Sequence, residues 1–463
     1  MTFFKRPAAC CTALLLLFFL TAALPAAAQT ALDQKARQNT FDLVWLRVKE
    51  RHYDPKLGGV NWDAVRKRYA PRIARAQSDG AFYGLLSQML GELKQSHFAI
   101  IPPAGFLADE AAPSDKGQEP VGGEGTVGMT VELVEDKLVI TRVEENGLAA
   151  QAGFRPGFVV TDVAGRPLDA LLARAKQSKL RPAVMRVQLR YGIAALLSGP
   201  DGSSVTVGYI DADDKPQTAK VTRRKPAGEP VRFGSLPPLH TEIETKRLDG
   251  NIGYIRFNLF LLPLLDPIKQ AVREMRQGGV KGIVLDLRGN GGGVGAMAAG
   301  LAGSFYSKRS TLGAMKMRQG EMRFAVFPAA DAYTGPLVLL IDEASLSTSE
   351  ILAGALQENR RAVVVGRASA GMVLPSVIEL LPGGARLQYA IADFKTPKGV
   401  LLEGRGVLPR LPVPLRRRDL LAGRDPDLDA AVAYITKTAA GAGAKPPAAT
   451  TTPTKPQQQG ATK

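Results

Sequence analysis

From about Leu239 to Arg418 the chain alternates short apolar runs with helix-length segments, and this alternation constrains the fold more than any other feature. The runs NIGYIRF (251–257), GIVLDLR (282–288), PLVLLID (336–342) and AVVVG (362–366) have strand length and are almost wholly apolar. Strands covered on both faces read this way. Between them lie LLDPIKQAVREMRQ, AMAAGLAGSF and SEILAGALQEN. Strand, helix and strand in succession predict parallel β units, so residues 239–436 are expected to form an α/β core with a mixed sheet. A later run, VIELLPGGARLQYAIADF, reads as a β-hairpin, and no repeat of fixed period is visible.

The segments ahead of this core read differently. Lys5 and Arg6 precede an apolar run from about Thr12 to Leu24 and the small residues Ala26, Ala27 and Ala28, which predicts a signal peptide over 1–28. The run is shorter than the roughly 20 residues of a membrane span, a retained anchor being the alternative. Cys10 and Cys11 are the only cysteines and precede the run, so cleavage after Ala28 removes both and leaves no disulfide, thiol nucleophile or cysteine metal site. Over 29–103, Phe41, Val44, Trp45 and Val48, then Phe82, Leu85, Leu86, Met89 and Leu93, recur at helical spacing and predict a small helical domain ending at Gln95-Ser96-His97-Phe98. Residues 104–124, rich in Pro, Gly, Asp and Glu, read as a linker. Residues 125–228 carry the short strand runs VGMTVEL, KLVITRV, SVTVGYI and TAKVTRR, with a helical excursion expected over Leu168 to Pro200. The last stretch, 437–463, lacks apolar periodicity and is expected to be disordered. The net charge of +17 is scattered rather than gathered into an aromatic-interleaved patch. That pattern argues against nucleic acid and admits only peripheral contact with an anionic membrane surface.

Three places carry chemistry. In PLVLLIDEASLSTSEILAGALQEN a buried strand ends at Asp342 and a helix begins near Ser349, which puts Ser347 at a helix N-terminus where developing negative charge is favoured. The same Ser347-Thr348-Ser349-Glu350 spells a capping box, and taken alone the cap is the stronger reading. In GIVLDLRGNGGGVGAMAAG a strand runs into Gly291, Gly292 and Gly293, whose amides can converge on one point as an oxyanion hole requires. The loose dinucleotide fingerprint Gly291-x-Gly293-x-x-Ala296 has no acidic residue near the required distance and carries little. Asp286, Arg288 and Asn290 read as residues that fix this loop. Of three histidines, His97 follows Ser96 in a polar turn, while His52 and His240 read as structural. No histidine cluster or cysteine pair supports a metal, and no cofactor is expected.

Two resemblances extend this reading. The run from Ala149 to Gly157, AAQAGFRPG, followed by an apolar strand, resembles a PDZ domain, departing from its pattern at Phe158 and at Ala164-Gly165. Together YIRF, DLRGNGGG, SLSTSEILAGALQEN, AVVVGRASAG and GVLLEGRGVLP resemble the C-terminal processing and tail-specific serine peptidases, over most of the chain beyond its first residues. That resemblance implies a ClpP/crotonase-like catalytic core, polypeptide substrates and Ser347 as nucleophile. Well-known members carry a lysine base 25 residues later, where this sequence has Met372, which cannot exchange a proton. A second branch, resembling the tricorn core protease, uses a Ser-His pair and a late glutamate. Ser96-His97 and Glu403 match these. The resemblance then implies His97 as base, with Glu403 and Ser96 holding its ring, and the amides of Thr348 and of Gly291 or Gly292 as oxyanion donors. A PDZ domain implies capture of a substrate segment by strand addition, with Thr126, Val127, Gly128 and Met129 as the loop for a terminal carboxylate. The expectation is an exported, periplasmic endopeptidase. The alternative is a peptide-binding pseudo-protease or envelope scaffold that lost catalysis with the lysine, and Lys395 and Lys398 are the substitute bases to consider.

Overall fold

The computed structural model describes residues 32–103 and 119–440, apart from positions 229, 233, 235 and 237. The expected signal peptide, most of the expected linker and nearly all of the expected tail lie outside the described residues.

Three helices open the chain, α1 (Gln34–Arg51), α2 (Trp62–Ala74) and α3 (Asp79–Gly91), and each has a side-chain cap from Asp33, Asn61 or Ser78. They bury Phe41, Val44, Val48, Phe82, Leu86 and Leu90 in a common core. The following turn leads to a short strand, β1 (Ala99–Ile101).

The next unit is a five-stranded antiparallel path made from β2 (Met129–Val134), β3 (Lys137–Val143), β4 (Val159–Val163), β6 (Ser204–Ile210) and β7 (Pro216–Thr222), in that spatial order, with β5 (Arg166–Pro167) pairing β4. Its helices are α4 (Leu148–Gln151), α5 (Leu168–Gln177) and α6 (Pro182–Leu197), so the expected excursion is a pair of helices. Val131, Leu133, Ile140, Phe154, Leu189, Ile193 and Val207 form the core of this unit. β2 is the edge strand, and α6 lies along it.

The α/β core is a six-stranded sheet built from β8 (Ile243–Leu248), β9 (Ile252–Phe257), β10 (Gly282–Asp286), β13 (Leu337–Ile341), β14 (Val363–Gly366) and β18 (Leu411–Pro412), in the order β18-β14-β13-β10-β9-β8. All neighbours are parallel except β8 against β9. One face is covered by α7 (Leu265–Gln277), α8 (Gly295–Ala302) and α9 (Thr348–Glu358), whose Ile268, Val272, Met297, Leu301, Leu352 and Leu356 meet Ile283, Leu285 and Leu339. The other is covered by α11 (Pro426–Ala440), which follows the short α10 (Arg417–Leu421) and seats Ala431 and Ile435 on Ile252, Val284, Val338 and Val365. Burial on both faces accounts for the continuous apolar runs. A small sheet, β12 (Gly320–Val326), β11 (Ser310–Met317) and β17 (Ala392–Lys395), closes over the helices.

The expected hairpin forms as β15 (Ser376–Leu380) and β16 (Arg386–Ala390), but it does not join the core sheet. β1 pairs with β16, and Leu381, Ala385, Leu387 and Tyr389 pack among the N-terminal helices. The reason is sequence order: β1 and the hairpin are individually too short to bury their apolar faces, and the helical layer supplies the missing surface.

Candidate active site

β10 and β13 are adjacent and parallel, so the loops at their C-terminal ends emerge side by side. Asp342 ties these loops together by accepting the N–H of Gly289 (2.9 Å) and of Ala344 (3.0 Å). Ser345 Oγ donates to Leu287 O (2.7 Å). Asn290 is wholly buried. Its side chain donates to Phe257 O and accepts from the Gly292 N–H (2.9 Å) and Ser349 Oγ (3.0 Å), and its carbonyl accepts the Leu346 N–H. Asp286 and Arg288 pair with each other and reach Arg256, Asp425 and Asp427, which fixes the loop from behind.

Held this way, Ser347 enters α9 with φ 57° and ψ −112°, a conformation a side-chain-bearing residue rarely adopts. Such strain persists only where surrounding structure imposes it, as at the sharp strand-to-helix turn that presents a nucleophile. Gly292, at φ +91°, lies directly against this turn. A Cβ there would sit 2.7 Å from Leu346 O, 2.8 Å from Ser347 Cβ and 3.1 Å from the Thr348 nitrogen. The glycine run thus meets the serine turn, but the Gly292 N–H is already given to Asn290. Gly292 is therefore not an oxyanion donor, which leaves Thr348 and Gly291 of the expected three.

Glu350 is the residue whose reach the sequence understates. Its carboxylate accepts the Ser347 N–H (2.8 Å), as the capping box predicts, and also Ser369 Oγ (2.6 Å) and the amides of Gly371 (2.8 Å) and Met372 (3.1 Å). Burial pushes its pKa up to about 7 against these four donors.

The half of the site around His97 is assembled from distant segments. Glu403 Oε1 accepts the Ser96 N–H (2.9 Å), and Glu403 Oε2 accepts Ser96 Oγ (2.8 Å) and the Val373 N–H (2.9 Å). Ser96 Oγ lies 2.5 Å from His97 Nδ1. A hydroxyl has one hydrogen, and Ser96 gives it to Glu403, so Nδ1–H is the donor to Ser96 Oγ and Nε2 carries the lone pair. This is the tautomer a general base needs. His97 is 3% exposed, holds φ 64°, and its Nε2 has no hydrogen-bond partner among the described residues. Burial lowers its pKa to about 3, so the roughly 6 to 7 of an unperturbed imidazole does not apply to the folded protein. Burial also raises the Glu403 pKa.

The two halves meet at two consecutive amides. The Met372 N–H goes to Glu350, which holds the Ser347 turn, and the next amide, Val373, goes to Glu403, which holds the His97 relay. Met372 packs its side chain on Leu346, Ala370 and Val187 rather than presenting an ionisable group. Lys395 lies on β17 and the Lys398 N–H binds Glu358, so neither belongs to this group of residues. Swapping Met372 for leucine preserves volume, and turnover in Met372→Leu is expected to stay within about threefold of wild type, measured on one peptide substrate.

A cleft of about 600 Å³ runs past Gly291 and Met372, between α6 and the core, to the start of β2, where Thr126, Val127, Gly128 and Met129 line it. The Thr126 N–H is bound to Arg224 O, which corrects its expected role as a carboxylate donor. Tyr191 and Arg190 of α6 line the same cleft. Neither was legible as a site residue, because nothing in the sequence says which face of α6 turns to the core.

Comparison with known proteins finds related peptidases. Residues 251–413 match the model of peptidase family S41, and residues 33–91 match the tricorn protease C1 domain. Residues 251–413 thus carry a peptidase family S41 domain, and the chain is a serine peptidase. The peptidase is 28% identical over 410 residues to a chloroplastic C-terminal processing peptidase of Tetradesmus obliquus, covering 84% of this chain and 78% of that one. It is 24% identical over 369 residues to a carboxyl-terminal-processing protease of Synechocystis sp., covering 79% and 78%. Among solved structures, the photosystem II D1 C-terminal processing protease superposes with TM-score 0.55 at 23% identity, over 88% of this chain and 98% of that one. Mature CPAF gives TM-score 0.57 at 12% identity, over 88% and 96%. These two likenesses show a shared fold.

Proposed function

We propose that this S41 peptidase is an exported, periplasmic endopeptidase that cleaves unfolded or C-terminally exposed polypeptides through an acyl-enzyme on Ser347, with His97 as general base. The observation that carries the reading is the Glu403–Ser96–His97 chain of hydrogen bonds, which leaves the lone pair on a buried, unpartnered Nε2. In the first step His97 Nε2 takes the Ser347 proton as Oγ attacks the scissile carbonyl. The amides of Thr348 and Gly291 receive the oxyanion, and imidazolium then returns the proton to the leaving amine. Ser96 and Glu403 stabilise the imidazolium. An intact relay also speaks against the pseudo-protease alternative, since a chain that lost catalysis with its lysine has no need of one. An alkyl fluorophosphonate is expected to label the protein at Ser347 alone. Labelling that persists in folded Ser347→Ala places the nucleophile elsewhere.

The unit at 125–228 is proposed to act as a PDZ domain. Its edge strand β2, with α6 alongside, has the arrangement that strand addition uses, and the cleft joins that edge to Gly291. Val127 and Gly128 are the amides proposed for a terminal carboxylate. Gly128 holds φ +74°, a backbone conformation that favours glycine. Amidating the C-terminus of a peptide with apolar last residues is expected to weaken binding about tenfold by calorimetry. Equal affinities would remove carboxylate capture from the proposal. Export rests on residues 1–28, outside the described residues, and among the described residues no helix is long and apolar enough to cross a membrane.

A further inference from the structure

His52 reads from sequence as a buried structural histidine, and it is indeed wholly buried. Its surroundings are more specific than packing requires. The Asp54 N–H donates to Nδ1 (3.0 Å), so Nδ1 carries a lone pair and the ring proton sits on Nε2. That proton points at Gln95 Oε1, 2.9 Å away. The loop delivering the Asp54 amide is itself fixed, because the Asp54 carboxylate accepts the N–H groups of Lys56 and Gly58. The flat face of His52 stacks on Phe98, with ring centroids 5.2 Å apart and planes 13° from parallel. Its carbonyl accepts Arg318 Nε from the turn between β11 and β12.

Gln95 and Phe98 are the residues on either side of Ser96-His97. The turn that carries them is strained, with Lys94 at φ 54° and His97 at φ 64°. Left to local preference, both residues would relax towards negative φ, and His97 would swing away from Ser96. One imidazole therefore grips both flanks of the dipeptide that supplies the base, by a hydrogen bond on one side and a stacked ring on the other.

We infer that His52 is a positioning residue for catalysis, which fixes the aim of the His97 ring by holding Gln95 and Phe98. The inference rests on His97 being the base. Misplacement of a catalytic group by a fraction of its working distance is enough to cost about 100-fold in rate.

The test uses the full chain and one fluorogenic peptide, with His52→Phe, which keeps a stacking ring and loses both nitrogen contacts, and Gln95→Leu, which removes only the acceptor. Each is expected to lower kcat about 10- to 100-fold with KM within about twofold. The double variant should fall no further than the worse single one, because both break the same contact. The downfield Nδ1–H proton resonance of His97 should shift in both. If His52→Phe fails to fold, Gln95→Leu, whose side chain is only half buried, carries the test alone. Unchanged kcat and an unmoved His97 resonance in folded Gln95→Leu, with His97→Ala inactive, overturn the positioning role alone. Wild-type turnover in His97→Ala overturns the base and the positioning role together.

Discussion

His97→Ala and Ser347→Ala are each expected to lower kcat on a peptide substrate by about 10⁴- to 10⁶-fold, and the double variant should be no slower than either single one. Members of a nucleophile–base set act as a unit, so removing one removes most of what the others supply. Stability should separate the two readings of Ser347. As a helix cap its loss costs about 1 kcal/mol, an amount visible in urea unfolding and far too small to explain a 10⁴-fold loss of rate. If folded Ser347→Ala turns over like wild type, the residue is a cap and nothing more. If His97→Ala does so, the Glu403–Ser96–His97 relay is structural and the proton has another acceptor.

Acid should unfold the protein through the same histidine. The folded-state pKa of His97 is lowered to about 3 by burial, whereas an exposed histidine in the unfolded chain titrates near 6.5. Between those values the unfolded chain binds a proton that the folded one refuses. The stability present above pH 6.5 is therefore lost as pH falls, at about 1.4 kcal/mol per pH unit, or about 3 kcal/mol between pH 6.5 and 4. Glu350 works in the opposite sense. Its folded pKa near 7 lies above that of a free glutamate, so it takes up a proton first in the folded state and offsets part of the loss down to about pH 4.5. Comparing wild type with His97→Gln in denaturant titrations at pH 6.5 and 4 cancels the Glu350 contribution. The variant should lose about 3 kcal/mol less than wild type. Parallel losses would mean that His97 reaches solvent in the folded state.

Much of this was legible in the sequence where one local pattern decided one element. The apolar runs at 282–286 and 337–341 became adjacent parallel strands, because only a sheet with both faces covered suits such residues. Ser347 and Gly291–Gly293 could be singled out because strand-to-loop-to-helix junctions are written locally. What could not be read was long-range. Glu350 looked like an ordinary capping carboxylate, and only the fold reveals that Gly371 and Met372 complete its shell. The hairpin at 376–390 was recognisable as a hairpin, but its partner surface lies near the other end of the chain. The Gly292 amide looked available until Asn290 was seen to occupy it. The His97 pKa was unreadable because burial depends on everything around the ring.

The contact between Ser96 and Glu403 joins residues 307 positions apart in the chain. Sequence separation of this kind delays assembly, since the intervening polypeptide must be ordered before the contact can form. The N-terminal helices likewise wait for β15 and β16 to complete their core. A ribosome that has made Ser96 and His97, or even Ser347, has not yet made a hydrolase. On the proposed mechanism, proton-accepting competence arrives only with the loop at Glu403, so a nascent or truncated chain would carry its nucleophile unarmed, and the cell producing it would be spared a partly built protease.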